Sequence, residues 1–243
     1  MKYAIAALIK GEKLPTREFP PREHDIPKND LSRDLKVGDI VLPRISGSSA
    51  WISGVICHFT SSPYYHVEIN VKDGYNISAN GTGVGWNDIY VKPIFDLFRF
   101  KGGLDRTQRL MIYAKAAQSI LKPYDYTHLF GFPFVKRKSA VRKAGNDAYI
   151  CSELTAWIYD EIGLPLIGDI PTSMTAPADI GHSDALEYVG AYKNGWKIVA
   201  EPNEFLSEDK EIIGKKASKF LEAISTRDEY YEGLYLNRDK MNS

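Results

Sequence analysis

Nucleophilic cysteine chemistry needs a thiolate, an imidazole to carry its proton and a polar group to hold that imidazole. The 243-residue chain offers two cysteines and five histidines for these roles. Cys151 stands at the mouth of an apolar-periodic segment, Asp147-Ala-Tyr-Ile-Cys-Ser-Glu-Leu-Thr-Ala-Trp-Ile-Tyr-Asp160. Leu154, Trp157 and Ile158 share one helical face there, Asp147 can cap, Glu153 falls in the first turn, and Gly163 and Pro165 stop the helix. A thiol in that first turn faces unpaired N–H groups and the positive end of the helix dipole, which favour thiolate over thiol. Cys57 is followed at once by His58, but neighbours on a helix point about 100° apart and do not make a reacting pair. A lone cysteine is more often a small core residue, so Cys151 needs a partner.

Among the histidines, His24 lies in a proline-rich arm, His182 in a polar loop and His128 outside any pattern. His66 is different. Tyr65 to Val71 alternates with period two, placing Val67, Ile69 and Val71 on one strand face and His66, Glu68 and Asn70 on the other. Asp73-Gly74 signals a hairpin turn, and the return strand Tyr75 to Asn80, rich in Ser and Asn, comes back beside His66. A strand histidine by itself is usually structural. Paired with a cysteine at a helix start, it reads as a proton carrier.

The remaining elements frame this pair. Residues 11–36 hold Pro15, Pro20, Pro21 and Pro27 among many charges and read as an extended arm. Leu35 to Pro43 reads as a turn and a short strand, Ser46 to Ser49 as a polar loop, and Trp51 to Phe59 as a helix with Trp51, Val55 and Phe59 on one face. Val84 to Val91 and Ile94 to Phe100 continue an antiparallel meander. Asp105 to Leu121 is an amphipathic helix bearing Leu110, Ile112, Tyr113, Ala116, Ala117 and Ile120, ended by Pro123. Tyr124 to Phe134 is an aromatic loop, followed by a basic cluster from Lys136 to Lys143 that reads as solvated surface. Leu186 to Tyr192 and Trp196 to Ala200 are strand-like, and Ser207 to Ile224 is a charged helix. The division expected is an arm over residues 1–34, a catalytic domain over 35–204, and a C-terminal helix and tail over 205–243 packed on the same domain.

Composition excludes several functions. Lys plus Arg and Asp plus Glu balance at 31 each, so no global field attracts nucleic acid or an anionic membrane. Two cysteines are too few for a disulfide framework, and a reduced, cytoplasmic setting is the default. The apolar run in residues 1–10 is too short and poorly flanked for a secretory signal; acting as one, it would move the protein to the envelope or outside. No run suggests stable membrane insertion. No pair of histidines or cysteines has metal-ligand spacing, and Gly81-Thr-Gly-Val-Gly85 lies between strands rather than before a helix. Neither a metal nor another cofactor is expected.

Thr60-Ser-Ser-Pro-Tyr-Tyr-His66-Val-Glu-Ile followed by Cys151-Ser-Glu-Leu resembles the circularly permuted papain-like thiol enzymes, the YiiX-like amidases of the NlpC superfamily and, more distantly, the lecithin retinol acyltransferase group. Those families carry the histidine upstream of the cysteine, as here. Gly38-Asp39-Ile-Val, Gly83-Val84, Tyr124-Asp125 and Thr175-Ala-Pro177-Ala-Asp179 add matches in order, so the resemblance spans roughly residues 35 to 182. It implies an α+β fold of the permuted papain-like (NlpC-type) kind, a small antiparallel barrel-like sheet packed on helices. Cys151 would then attack a carbonyl carbon, with His66 moving the proton and the Cys151 backbone N–H serving the oxyanion hole. Tyr124 and Tyr149 would line the substrate cleft. The third polar residue of those families falls at Ser78, a weaker acceptor than a carboxylate, and Asn80, Asn76 and Glu68 are alternatives for that role.

The activity expected is that of a thiol amidase or peptidase acting on a small peptide or N-acyl substrate, a cell-wall peptide among them, through a thioester. Two alternatives stand beside it. One is an acyltransferase or lipid thioesterase, which calls for an apolar cleft. The other is an inactive homologue that only holds a ligand.

Overall fold

The computed structural model describes residues 19–20, 25–126, 148–168, 170–218, 220 and 222. His24, His128, Asp147, residues 1–10 and the basic cluster from Lys136 to Lys143 lie outside them. Mixed helix and antiparallel sheet make the fold α+β. Seven strands, β1 (Ile40–Pro43), β2 (Glu68–Lys72), β3 (Tyr75–Asn80), β4 (Gly83–Asp88), β5 (Ile94–Phe100), β6 (Leu186–Lys193) and β7 (Trp196–Ile198), form one sheet in the order β4-β3-β2-β1-β5-β6-β7. Every pairing is antiparallel. The sheet is open, with β4 and β7 at its edges, so the closed barrel-like form expected from the sequence is not what these strands make. No helix among the described residues is long and apolar enough to cross a membrane.

Alternation along the strands divides the apolar side chains between two layers. Ile40, Leu42, Ile69 and Ile77 point into the main core under the helices α3 (Arg106–Ser119) and α4 (Cys151–Glu161). Val41, Phe95 and Leu97 point the other way, onto Leu31 of the short helix α1 (Asp30–Asp34). That helix corrects the extended-arm reading. Asn29 caps it in a capping box with Ser32, Leu31 is fully buried, and the Leu31 N–H donates to the Gly195 carbonyl at the β6–β7 turn. The prolines upstream did not forbid a helix that begins after the last of them.

Helix α2 (Trp51–Thr60) forms where the pattern placed it, but buries Ser53, Gly54, Val55 and Cys57 and leaves Trp51 and Phe59 exposed. The C-terminal helix, residues 209–218, explains the swap: a Cβ on Gly54 would come within 2.4 Å of Lys216 Cβ, so glycine admits that helix where a larger residue would not. In α3 the Asp105–Gln108 capping box fixes the start. Ile112 and Ala116 are buried as expected, while Leu110 and Tyr113 face outward.

Arg44 ties the C-terminal segment to the sheet. Its Nε and Nη2 donate to the two Asp96 oxygens at 2.7 and 2.8 Å. Nη1 and Nη2 also donate to the carbonyls of Glu204 and Glu201 at 2.6 and 3.0 Å. Tyr64 donates to Asp96 and accepts from the Asn203 N–H.

Candidate active site

Two backbone segments deliver Cys151 to the sheet. Gly83 has φ of +115°, and its missing Cβ leaves room for the Lys122 carbonyl, which would sit 2.7 Å away. The Val84 N–H donates to that carbonyl and the Leu121 N–H to the Val84 carbonyl, so residues 121–123 extend the β4 edge. Tyr124 then bridges Tyr149 in parallel, with Asp125 N–H donating to the Tyr149 carbonyl. Ile150 is the N-cap in extended conformation with no side-chain cap, and the helix opens on Cys151 itself. The first helical hydrogen bond runs from the Leu154 N–H to the Ile150 carbonyl. The N–H groups of Cys151, Ser152 and Glu153 therefore precede the ladder, the usual state of a helix start.

His66 comes from a different place than the alternation indicated. The paired part of β2 begins at Glu68, and His66 lies two residues ahead of it in an extended segment, its ring stacked near Tyr65. Cys151 belongs to the core cluster with Ile69 and Ile77, whereas Glu68, Asn76 and Ser78 occupy the alternate positions of the same two strands. His66 is where the two sets meet. Its Nε2 is 3.1 Å from Ser78 Oγ and 3.3 Å from Glu68 Oε1. The pairing Ile69↔Ile77 explains this convergence, since the next antiparallel step sets Glu68 across from Ser78.

The carboxylate can only accept, so Nε2 carries a proton, and Nδ1 is the nitrogen that neither Glu68 nor Ser78 engages. Cys151 lies close enough to the ring to favour its charged form. Ser78 Oγ accepts a 2.7 Å bond from Asn87 Nδ2 as well. Glu68 is held on both oxygens: Asn76 Nδ2 donates to Oε2 at 2.8 Å, and Lys92 Nζ stands 2.8 Å from Oε1. The ring and the ammonium keep 16% and 17% of their side-chain surface open, while Glu68 keeps 1%.

These contacts set the charges. Burial opposes an imidazolium at His66, but Cys151 and Glu68 outweigh it and hold the pKa up at about 9. Burial likewise opposes a carboxylate at Glu68, and Lys92 with His66 overrides it, bringing the pKa down to about 2. At neutral pH both groups are charged. The raised His66 contributes stability in full below its ordinary 6.5 and loses it as pH rises through about 9. The lowered Glu68 contributes in full above its ordinary 4.5 and loses it as pH falls toward about 2.

Of the sequence candidates, Cys151, His66 and Ser78 come together. Glu68, one of the alternatives for the third role, joins them with the stronger charge. Asn76 reaches the imidazole only through Glu68, and Asn80 instead turns its oxygen to Thr82. Tyr124 is part-buried, and burial, with Cys151 nearby adding to it, raises its hydroxyl pKa. Tyr149 is fully buried, against Trp157 and under Lys122, whose Nζ donates to its hydroxyl at 3.2 Å. It packs against Trp157 of α4, so its place is in the core rather than on an open cleft wall. Cys57 is buried under the C-terminal helix near Asp209, and both push its thiol pKa up. Lys92 and Asn87 had no signal in the sequence, lying in a turn and on an edge strand without periodic meaning. Among the described residues no group of three or more His, Cys, Asp or Glu side chains is placed to hold a metal ion.

No protein-family model matches the sequence, and no curated protein matches it. Similarity is found among solved structures. The crystal structure of the metalloprotein YiiX from Escherichia coli O157:H7 is 18% identical, with a TM-score of 0.48 over 65% of this chain and 98% of that one.

Proposed function

We propose that the protein is a cysteine hydrolase that cleaves an amide bond of a small peptide or N-acyl substrate through a thioester on Cys151. The observation that carries this reading is a cysteine at the first residue of a helix beside an imidazole whose far nitrogen meets a buried carboxylate. In the proposed reaction Cys151 Sγ forms a bond to the carbonyl carbon, and the oxygen takes the negative charge, facing the N–H groups at the start of α4. The C–N bond then breaks and His66 gives the proton from Nδ1 to the leaving amine. Water attacks the thioester, His66 takes its proton, and the acid leaves with the thiolate restored. Glu68 and Ser78 hold the ring through Nε2 during both proton transfers.

The test is intact-protein mass spectrometry during incubation with a panel of peptide amides, N-acyl amides and acyl esters. A transient adduct on Cys151 with amide substrates, lost in Cys151→Ala, is expected. Adducts from acyl esters alone would move the reading to acyl transfer, and no adduct from any member would leave a binding role in its place.

A further inference from the structure

One oxygen in the site serves two cations. Glu68 Oε1 is 3.3 Å from His66 Nε2 and 2.8 Å from Lys92 Nζ, and both contacts end on a carboxylate that is almost wholly buried. Oε2 accepts from Asn76, and Oε1 is the oxygen that both cations meet. The imidazolium and the ammonium therefore share one acceptor while repelling each other across it. We propose that Lys92 is a positioning residue that sets the proton affinity of His66 through Glu68 Oε1. It keeps the carboxylate ionised and in place, yet limits how tightly that carboxylate can hold the imidazole proton, which must leave during each turnover.

Among the described residues, the groups that face His66 are few. Cys151 comes from α4, Glu68 from β2, and Ser78, which carries no charge, from β3. Tyr65 precedes it in the chain and stacks on it. Tyr124 lies beyond the sulfur. Lys92 is the cation whose charge reaches the ring through a shared atom, and it sits in the turn between the 3-10 turn Ile89–Val91 and β5, outside the helix and the hairpin that build the pair. The catalytic meaning of this inference rests on the proposed hydrolase reading, but the interaction itself does not.

The experiment is a pH titration of the His66 ring by NMR in the full chain, which needs no substrate. Lys92→Met should raise the His66 midpoint by about one pH unit, because a like charge is removed, and Lys92→Arg should return it to the wild-type value. Lys92→Gln, which removes the charge and keeps a donor toward Glu68, gives the same test should Lys92→Met not fold. A midpoint that stays put or falls in the neutral variants, or Lys92→Arg behaving as they do, would overturn the inference. If His66 responds as expected while Cys151→Ala leaves turnover intact, the hydrolase reading fails and the coupling stands.

Discussion

Two buried charge networks, one around Asp96 on β5 and one around Glu68 on β2, are built in opposite ways. Around Asp96, Arg44 makes two parallel bonds to the carboxylate and two more to carbonyls of the C-terminal segment. Both side chains have no exposed surface, and a guanidinium keeps its proton throughout the biological range. Around Glu68 the contacts are single bonds, two cations share one oxygen, and one cation is an imidazole at the surface edge. A planar fork with four N–H groups donating locks two parts of the chain together. A strained sharing with a titratable group leaves a proton that can move. Burial and ionic character alone thus do not mark a functional cluster; the identity of the cation and the sharing of its acceptor do.

Four substitutions separate the two networks. Cys151→Ala should cost at least about 10³-fold in turnover, as loss of a nucleophile does, with the fold intact by circular dichroism; retained turnover would place the chemistry elsewhere. Arg44→Met should lower unfolding free energy by about 3–5 kcal/mol by stranding Asp96, measured by denaturant unfolding, while Cys151 alkylation in the folded fraction keeps its rate. Glu68→Gln should lower turnover by about 100-fold and move the alkaline limb of kcat/KM down from about 9. Its stability deficit should be largest between about pH 4.5 and 6.5, where both charges of the native pair are in place, shrinking on either side. Ser78→Ala should cost about 1 kcal/mol or less, under tenfold in turnover, because Glu68 still holds Nε2. If Ser78→Ala proved worse than Glu68→Gln, serine would be the principal orienting group.

The sequence made the local half of this site legible. Apolar periodicity located α4 and put Cys151 at its start. The hairpin was equally plain: Asp73 and Gly74 both take positive φ, as the turn requires; the register shift between Asn70 and Lys72, which sets Glu68 against Ser78 rather than Ala79, carried no such signal. What was hidden depends on contacts between distant segments. Trp51 and Phe59 looked like a buried face, but the partner helix chose the Gly54 side instead. Tyr149 looked like a cleft residue, yet Trp157 and Lys122 enclose it. The competition between Ser78 and Glu68 could not be decided from strand parity, because His66 stands ahead of the ladder and its ring is not bound to one face. Lys92 reaches Glu68 across the sheet from a turn, a meeting that no spacing along the chain records.

The pairing of Cys151 with His66 is tested most directly by site-resolved iodoacetamide alkylation at neutral pH in the wild type and in His66→Ala. Cys151 should be alkylated well ahead of Cys57, and its rate should fall at least tenfold when the imidazole is removed, about 1.4 kcal/mol in activation free energy. Equal labelling of the two thiols, or a Cys151 rate indifferent to His66, would contradict the account.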